Sequence, residues 1–139
     1  VNKPGTDDYT RTLPLEETID GTLGITYEQG DEGRIVGRMP VEPRVCQPYG
    51  IVHGGAYAVI AESMTSAATY MNVAEEGKIA LGMSNQTQLL RPISQGHVNA
   101  TAEAIHRGRS TWVWDVEMRD DEGNLCATSR IVVAVRPAG

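Results

Sequence analysis

The sequence predicts an α+β fold, an antiparallel sheet of about six strands wrapped around one long central helix. Three observations point there. The stretch QPYGIVHGGAYAVIAESMTSAATYMN, residues 47–72, carries helical periodicity from about Gly54. The segments flanking it alternate apolar and polar residues with a period of two. The connections between the later segments are short, which suits antiparallel neighbours and not parallel crossovers.

In chain order, residues 1–13 are polar and expected to be loose. Pro14 in a first turn, with Glu16 and Glu17 behind it, predicts a short helix over 14–19. From Thr22 the period changes to two, with Leu23, Ile25 and Tyr27 as one face of a strand. Residues 29–33, QGDEG, read as a turn into a second strand carrying Ile35, Met39 and Val41. Pro40 should stop that strand or place it on an edge. Pro48 and Gly50 then break regular structure ahead of the helix.

The helix has apolar residues at Tyr57, Ile60, Ala61, Met64, Ala67, Ala68 and Met71, with small residues filling much of the rest. That suits a central, closely approached helix. Glu75, Glu76 and Gly77 end it. Residues 78–91 follow as a long strand whose middle, SNQTQ, is polar on both faces; such a strand borders a site or a polar interface. Residues 97–106 line one face with Val98, Ala100, Ala102 and Ala104, small enough to let a helix lie close. Residues 111–118 set Trp112, Trp114, Val116 and Met118 against Asp115 and Glu117. Residues 125–136 close the sheet. The sheet's other face and its edges predict self-association.

The 139 residues suffice for one domain with a real core and are too few for two. The formal net charge of -6 argues against nucleic acid or an anionic membrane as main partner. No apolar run approaches the ~18 residues of a membrane span, and the first residues lack a signal-peptide core. Cys46 and Cys126 mark no disulfide framework, which points to a reduced, cytoplasmic setting. The three histidines lack metal-site spacing with either cysteine, so no zinc is expected.

Within the helix, Glu62 is the odd residue. Ser66 lies at i+4 on the same face. Gly55 lies two turns earlier, where the helix start offers free N–H groups and positive dipole. A carboxylate can serve as general base or nucleophile. The N–H groups around His53, Gly54 and Gly55 can hold an oxyanion, and Gln47 can orient a carbonyl or a water. Singly, each has an ordinary explanation: a helical Glu is commonly a solvated face, a preceding His a cap, a helical Ser inert. The acid also lies about two turns, roughly 11 Å, from the helix start. A substrate or a second chain would have to bring the two together. No G-x-S-x-G elbow, phosphate loop or dinucleotide fingerprint is present.

Taken together, Gln47, His53-Gly54-Gly55, Glu62 and Ser66 on this β-β-α-β-β-β-β layout resemble the hotdog-fold acyl-CoA thioesterases. The likeness lies in the branch of the 4-hydroxybenzoyl-CoA, 1,4-dihydroxy-2-naphthoyl-CoA and enterobactin-pathway proofreading thioesterases. MPVEPRVCQPYGIVHGGAYAVIAES carries most of it and GRSTWVWDVEMRDDEGNLCATSRI a second block, so that it spans about Leu23 to Val135. The resemblance implies hydrolysis of an aromatic acyl-CoA. Glu62 would be the catalytic carboxylate, as nucleophile or general base. Gly54 N–H would polarise the thioester carbonyl, with Gln47 and His53 positioning thioester and water and Ser66 assisting. It implies a site shared by two subunits of a dimer of dimers, and CoA running along Gly55, Tyr70, Gly82, Leu89, Leu90, Arg91, Pro92, His106, Arg107, Gly108, Arg109, Ser110 and Thr111. Arg91, Arg107 and Arg109 would offer charge to phosphates, though Leu89, Pro92 and the order Arg109-Ser110 depart from the naphthoyl-CoA branch. No cofactor beyond the substrate's own coenzyme A is implied. The alternatives are a broad-range housekeeping or proofreading thioesterase, acting on CoA or an acyl carrier protein, and a non-catalytic acyl-CoA-binding domain. The last usually carries a fused DNA-binding segment, for which this chain has no room.

Overall fold

In the computed structural model, residues 13–139 are described. The expected loose start therefore falls, for residues 1–12, outside the described residues. A 3-10 turn at Leu15–Glu17 leads into α1 (Ile19–Leu23), β1 (Thr26–Gln29) and β2 (Arg34–Pro40). A second 3-10 turn (Pro43–Val45) precedes α2 (Gly54–Val73). Then come a turn at Ala74–Glu76, β3 (Lys78–Leu89), β4 (His97–Arg107), β5 (Thr111–Arg119) and β6 (Leu125–Pro137). The six strands form one antiparallel sheet in the order β1-β2-β4-β5-β6-β3.

One element differs from expectation. The strand foreseen from Thr22 begins only at Thr26, because residues 19–23 close into α1. Gly24 ends α1 in the left-handed conformation, φ 72°, and donates back to Gly21 O, while Ile25 N–H bonds Asp20 O. A side chain at Gly21 would collide with the Leu15 carbonyl, so the two short turns stack only because that residue is Gly. Five residues are too few to show a 3.6 period. Pro40 ends β2 as expected, its register partner being His97 of β4. β3 stops at Leu89, since Leu90 and Arg91 both turn their N–H groups onto Cys126 O.

α2 packs against one face of the sheet. It buries Ala56, Tyr57, Ile60, Ala61, Met64, Thr65, Ala68, Thr69 and Val73. Ala100 and Ala102 of β4 and Gly37 of β2 let it approach; a Cβ on Gly37 would stand 3.3 Å from Met64 Sδ. The stripe shifts from the one read in sequence: Met71 is exposed, whereas Thr65 and Thr69 are fully buried. Two threonines can face the core because each hydroxyl donates to a carbonyl one turn back, Thr65 to Ala61 O and Thr69 to Thr65 O, both 2.8 Å. Thr69 Oγ1 also accepts the indole N–H of fully buried Trp114, at 2.9 Å. Burial pushes the phenol of Tyr57 up to about 12.

The register of β3 against β6 shifts between Gly82 and Ser84, a β-bulge at Met83. Before it, Ala80 and Gly82 pair with Val135 and Val133; after it, Asn85 and Thr87 pair with Ile131 and Ser129. Side chains alternate along a strand, and the extra residue changes which parity faces α2. Even-numbered residues face the helix before the bulge and odd-numbered ones after it.

Candidate active site

α2 starts where it does because His53 caps it. The His53 carbonyl accepts from Ala56 N–H at 2.9 Å, and the His53 ring accepts from Gly55 N–H at Nδ1, at 2.8 Å. An accepting Nδ1 leaves the neutral ring's hydrogen on Nε2. With Gly55 N–H thus occupied, Gly54 N–H has no acceptor among the described residues. It points from the positive end of a 20-residue helix.

Gln47 stands beside this helix start. The loop after it is closed by Gln47 N–H on Ile51 O and Gly50 N–H on Gln47 O, with Gly50 at φ 81°. Gln47 Oε1 accepts Tyr49 N–H at 2.6 Å, so the loop holds the side-chain carbonyl and leaves its NH2 to donate. Val52 N–H bonds Ile93 O and His53 N–H bonds Val45 O, which ties the loop to the residues after β3. Gln47, His53, Gly54, Gly55, Leu89, Leu90, Arg91 and Pro92 therefore share one end of the molecule. Leu89 lies close to the helix start, where a Cβ on Gly54 would stand 2.8 Å from its Cδ1.

Glu62 is eight residues further along α2, about 12 Å by helical rise. It is exposed. Its carboxylate lies over Gly82: a Cβ there would stand 3.1 Å from Glu62 Cδ and 3.3 Å from Oε2. Asn85 Nδ2 lies 3.5 Å from Glu62 Oε1. Ser66, one turn on, has a buried hydroxyl with no partner among the described residues. Tyr70, one turn further, is half exposed.

The second segment assigned to CoA lies elsewhere. Arg107, Gly108 and Arg109 line a cleft with Asn72 and Val73, at the far end of α2. Gly108 N–H bonds Thr111 O, and Ser110 O accepts from Val135 N–H and Arg136 Nη1, so this tight β4–β5 turn is well fixed. A Cβ on Gly108 would stand 2.7 Å from His106 Nε2. Arg107 is paired with Glu32 at 3.0 Å, which offsets part of its charge. The α2 axis spans about 30 Å. Within one chain, residues 89–92 and 106–111 therefore form two separate surfaces, and Gly82 sits apart from both beneath Glu62.

Sequence reasoning did not pick out Asn85 as a site residue. The signal was present in the SNQTQ run, polar on both faces, but the bulge that turns Asn85 towards Glu62 has no signature in residue type. Among the described residues, no group of three or more His, Cys, Asp or Glu could hold a metal, and no helix is long and apolar enough to cross a membrane.

The profile of the thioesterase superfamily matches residues 49–127, the span from the loop before α2 into β6. The chain belongs to that superfamily. The proofreading thioesterase EntH of Klebsiella pneumoniae is 36% identical over 120 residues, covering 86% of this chain and 87% of the relative. Thioesterase PA1618 of Pseudomonas aeruginosa, solved as a Gln-to-Ala variant, is 36% identical with a TM-score of 0.83, covering 94% of this chain and 99% of that one. A Staphylococcus aureus thioesterase, 33% identical with a TM-score of 0.82, covers 86% of this chain. It was solved as a Gln-to-Ala and as a Glu-to-Ala variant, the two positions fifteen residues apart. The fold is the hotdog fold of these enzymes, and the activity class is thioester hydrolysis.

Proposed function

We propose that this chain hydrolyses an aromatic acyl-CoA, of the hydroxybenzoyl or dihydroxynaphthoyl kind, to the free acid and CoA. One observation carries the site assignment: a free Gly54 N–H at the start of α2 and an exposed Glu62 carboxylate on the same helix. Gln47 and Glu62 are separated by fifteen positions, the interval between the two residues altered in the Staphylococcus aureus thioesterase. Gly54 N–H, with the helix dipole behind it, polarises the thioester carbonyl and receives charge as the oxyanion forms. The NH2 of Gln47 and the Nε2–H of His53 position thioester and water.

Two routes for Glu62 balance. As general base it takes a proton from water, the oxygen attacks the carbonyl carbon, the C–S bond breaks and the proton passes to the leaving thiolate. As nucleophile its oxygen displaces the thiolate to give a mixed anhydride, which water then hydrolyses. The Ser66 hydroxyl, which the resemblance sets near Glu62, is buried and not bonded to the carboxylate within the single chain, so its assistance would come through bound substrate or water.

The ~12 Å between Gly54 and Glu62 favours a site built from two copies, each supplying one end. β3 is an edge strand of 12 residues with exposed Leu81 and Met83. Pairing of two such edges satisfies unpaired backbone groups and lays one copy's Glu62 towards the other's helix start. The same pairing would join residues 89–92 of one copy with 106–111 of its partner along one CoA, Arg91 and Arg109 meeting phosphates. A dimer of dimers in the cytoplasm, with no cofactor, completes the reading.

The aromatic acyl group is proposed from the resemblance to the naphthoyl-CoA branch together with the small residues of α2. Ala58 and Ala67 are small, partly buried residues of α2, whereas Ala68 is buried in the core and offers no surface. Burying a ring against such a small residue would contribute roughly 25 cal/mol per Å² before ordering costs. A hydrolysis panel followed by free-thiol release tests it. Benzoyl- or naphthoyl-type esters should exceed palmitoyl-CoA in kcat/KM by about ten-fold or more, below the long-chain ester's micelle concentration. Equal or reversed preference removes the aromatic assignment. The named relative EntH favours the second reading, a proofreading enzyme of broad range acting on CoA- or carrier-linked acyl groups; it would then lead.

A further inference from the structure

Asn85 sits between α2 and β3 with every polar atom of its amide engaged. Nδ2 lies 2.9 Å from Ala58 O and 3.5 Å from Glu62 Oε1. Oδ1 lies 2.8 Å from Thr87 Oγ1, and that hydroxyl lies 2.7 Å from the hydroxyl of buried Ser129. The direction of this chain of hydrogen bonds is fixed by its ends. A backbone carbonyl can only accept, so the amide atom facing Ala58 O is the NH2, and its second hydrogen is free for the carboxylate. The amide oxygen then needs a donor, and Thr87 supplies it. The single hydroxyl hydrogen of Thr87 is thereby used, so Ser129 must donate to Thr87. Polarity runs from Ser129 through Thr87 and Asn85 to Glu62. Among the described residues, Asn85 has the one side chain within hydrogen-bond reach of that carboxylate.

We propose that Asn85 is a positioning residue, held by Thr87 and Ser129, that fixes the orientation of the Glu62 carboxylate for thioester hydrolysis. The inference rests on the assignment of Glu62 above. Glu62 is exposed and its side chain has three rotatable bonds, so without a fixed donor it would sample several directions. Gly82 supports it from below and Asn85 from one side. The bulge at Met83 brings both under the helix: in an unbroken strand Gly82 and Asn85, three positions apart, would face opposite ways. A donor to a charged group contributes more than a neutral hydrogen bond, which sets the expected loss at about ten-fold or more in rate.

The test uses the full chain and benzoyl-CoA, with thermal unfolding to verify folding. Asn85→Ala should lower kcat about ten-fold while KM stays within about two-fold, the pattern of a group that acts on the reacting machinery and not on substrate binding. Thr87→Val keeps the shape and removes the donor to the amide oxygen, so that Asn85 is held by Ala58 O alone; its kcat should fall in the same direction by less. The double variant should be no slower than Asn85→Ala within about two-fold, because both act through one chain of bonds. A merely structural clamp between α2 and β3 would lower the unfolding temperature and leave kcat of the folded protein unchanged. Parental kcat in folded Asn85→Ala overturns the proposal. If that variant does not fold, parental kcat in Thr87→Val overturns it instead. Glu62→Gln is run alongside: its retention of turnover overturns the Glu62 assignment, whereas its inactivity beside a fully active Asn85→Ala overturns the positioning role alone.

Discussion

The carboxylate of Glu62 rests on the backbone of Gly82, its Cδ 3.1 Å from where a Cβ on that residue would stand. Contacts that short are tighter than van der Waals packing favours, so any side chain at 82 pushes the carboxylate away from β3. Gly82→Ala should fold, since the contact is with the end of a flexible side chain, yet lose about ten-fold or more in kcat by misplacing Glu62. Steady-state kinetics with benzoyl-CoA, beside a thermal unfolding scan, separates the two effects. A variant with parental kcat would mean that the carboxylate works from a different position.

Glu62→Gln preserves shape and removes the charge. Turnover should drop by the ~10²–10⁴-fold associated with an acid–base group, while CoA binding measured by calorimetry persists. Near-parental turnover would exclude Glu62 from the chemistry.

A site shared by two copies makes a separate claim. Chains carrying Glu62→Gln and chains carrying Gln47→Ala should each be inactive. Mixed after partial unfolding and refolding, they should regain roughly a quarter of parental activity, because half of randomly paired dimers hold one intact site out of two. Failure to regain any, with mixed dimers verified by differential tagging, would place Gln47 and Glu62 in the same chain's site.

The hydrogen bond from Trp114 Nε1 to Thr69 Oγ1 joins the sheet to α2 in the fully buried core. Thr69→Val keeps the volume and strands the indole N–H. Stability should fall by about 1–3 kcal/mol, the cost of a buried unpaired donor, read from urea unfolding of the folded protein. A change below about 0.5 kcal/mol would mean that the indole finds another acceptor.

Tyr57 is buried and its phenol is pushed up to about 12, against 10 for the free side chain. The folded state therefore holds this proton more tightly than the unfolded chain. Its contribution to stability is complete below pH 10 and is lost as the pH rises through about 12. Tyr57→Phe should flatten the decline in urea midpoint between pH 9 and pH 11.5 relative to the parent. An unchanged slope would assign that decline to other groups, Tyr27 among them, whose phenol is also raised by burial and by Asp20.

Residue type alone determined most of the framework. α2 announces itself through small and apolar residues at helical spacing behind Pro48 and Gly50, and β5 through Trp112, Trp114, Val116 and Met118, all four of which are buried. These are local signals: a period of 3.6 or 2, a breaker, a cap. The loop–helix motif from Gln47 to Ser66 was equally legible, because its residues are close in sequence. Tertiary structure decided what periodicity cannot encode. Whether Thr69 or Met71 faces the core depended on the position of Trp114 across the sheet, which supplies a hydrogen-bond partner 45 residues away. That Glu62 lies over Gly82 and beside Asn85 depended on a one-residue bulge that reverses the facing of β3, a change in register that alters no residue's propensity. And residues 89–92 and 106–111, which the resemblance sets along one CoA, lie at opposite ends of α2 within one chain because a 20-residue helix is a rigid spacer about 30 Å long.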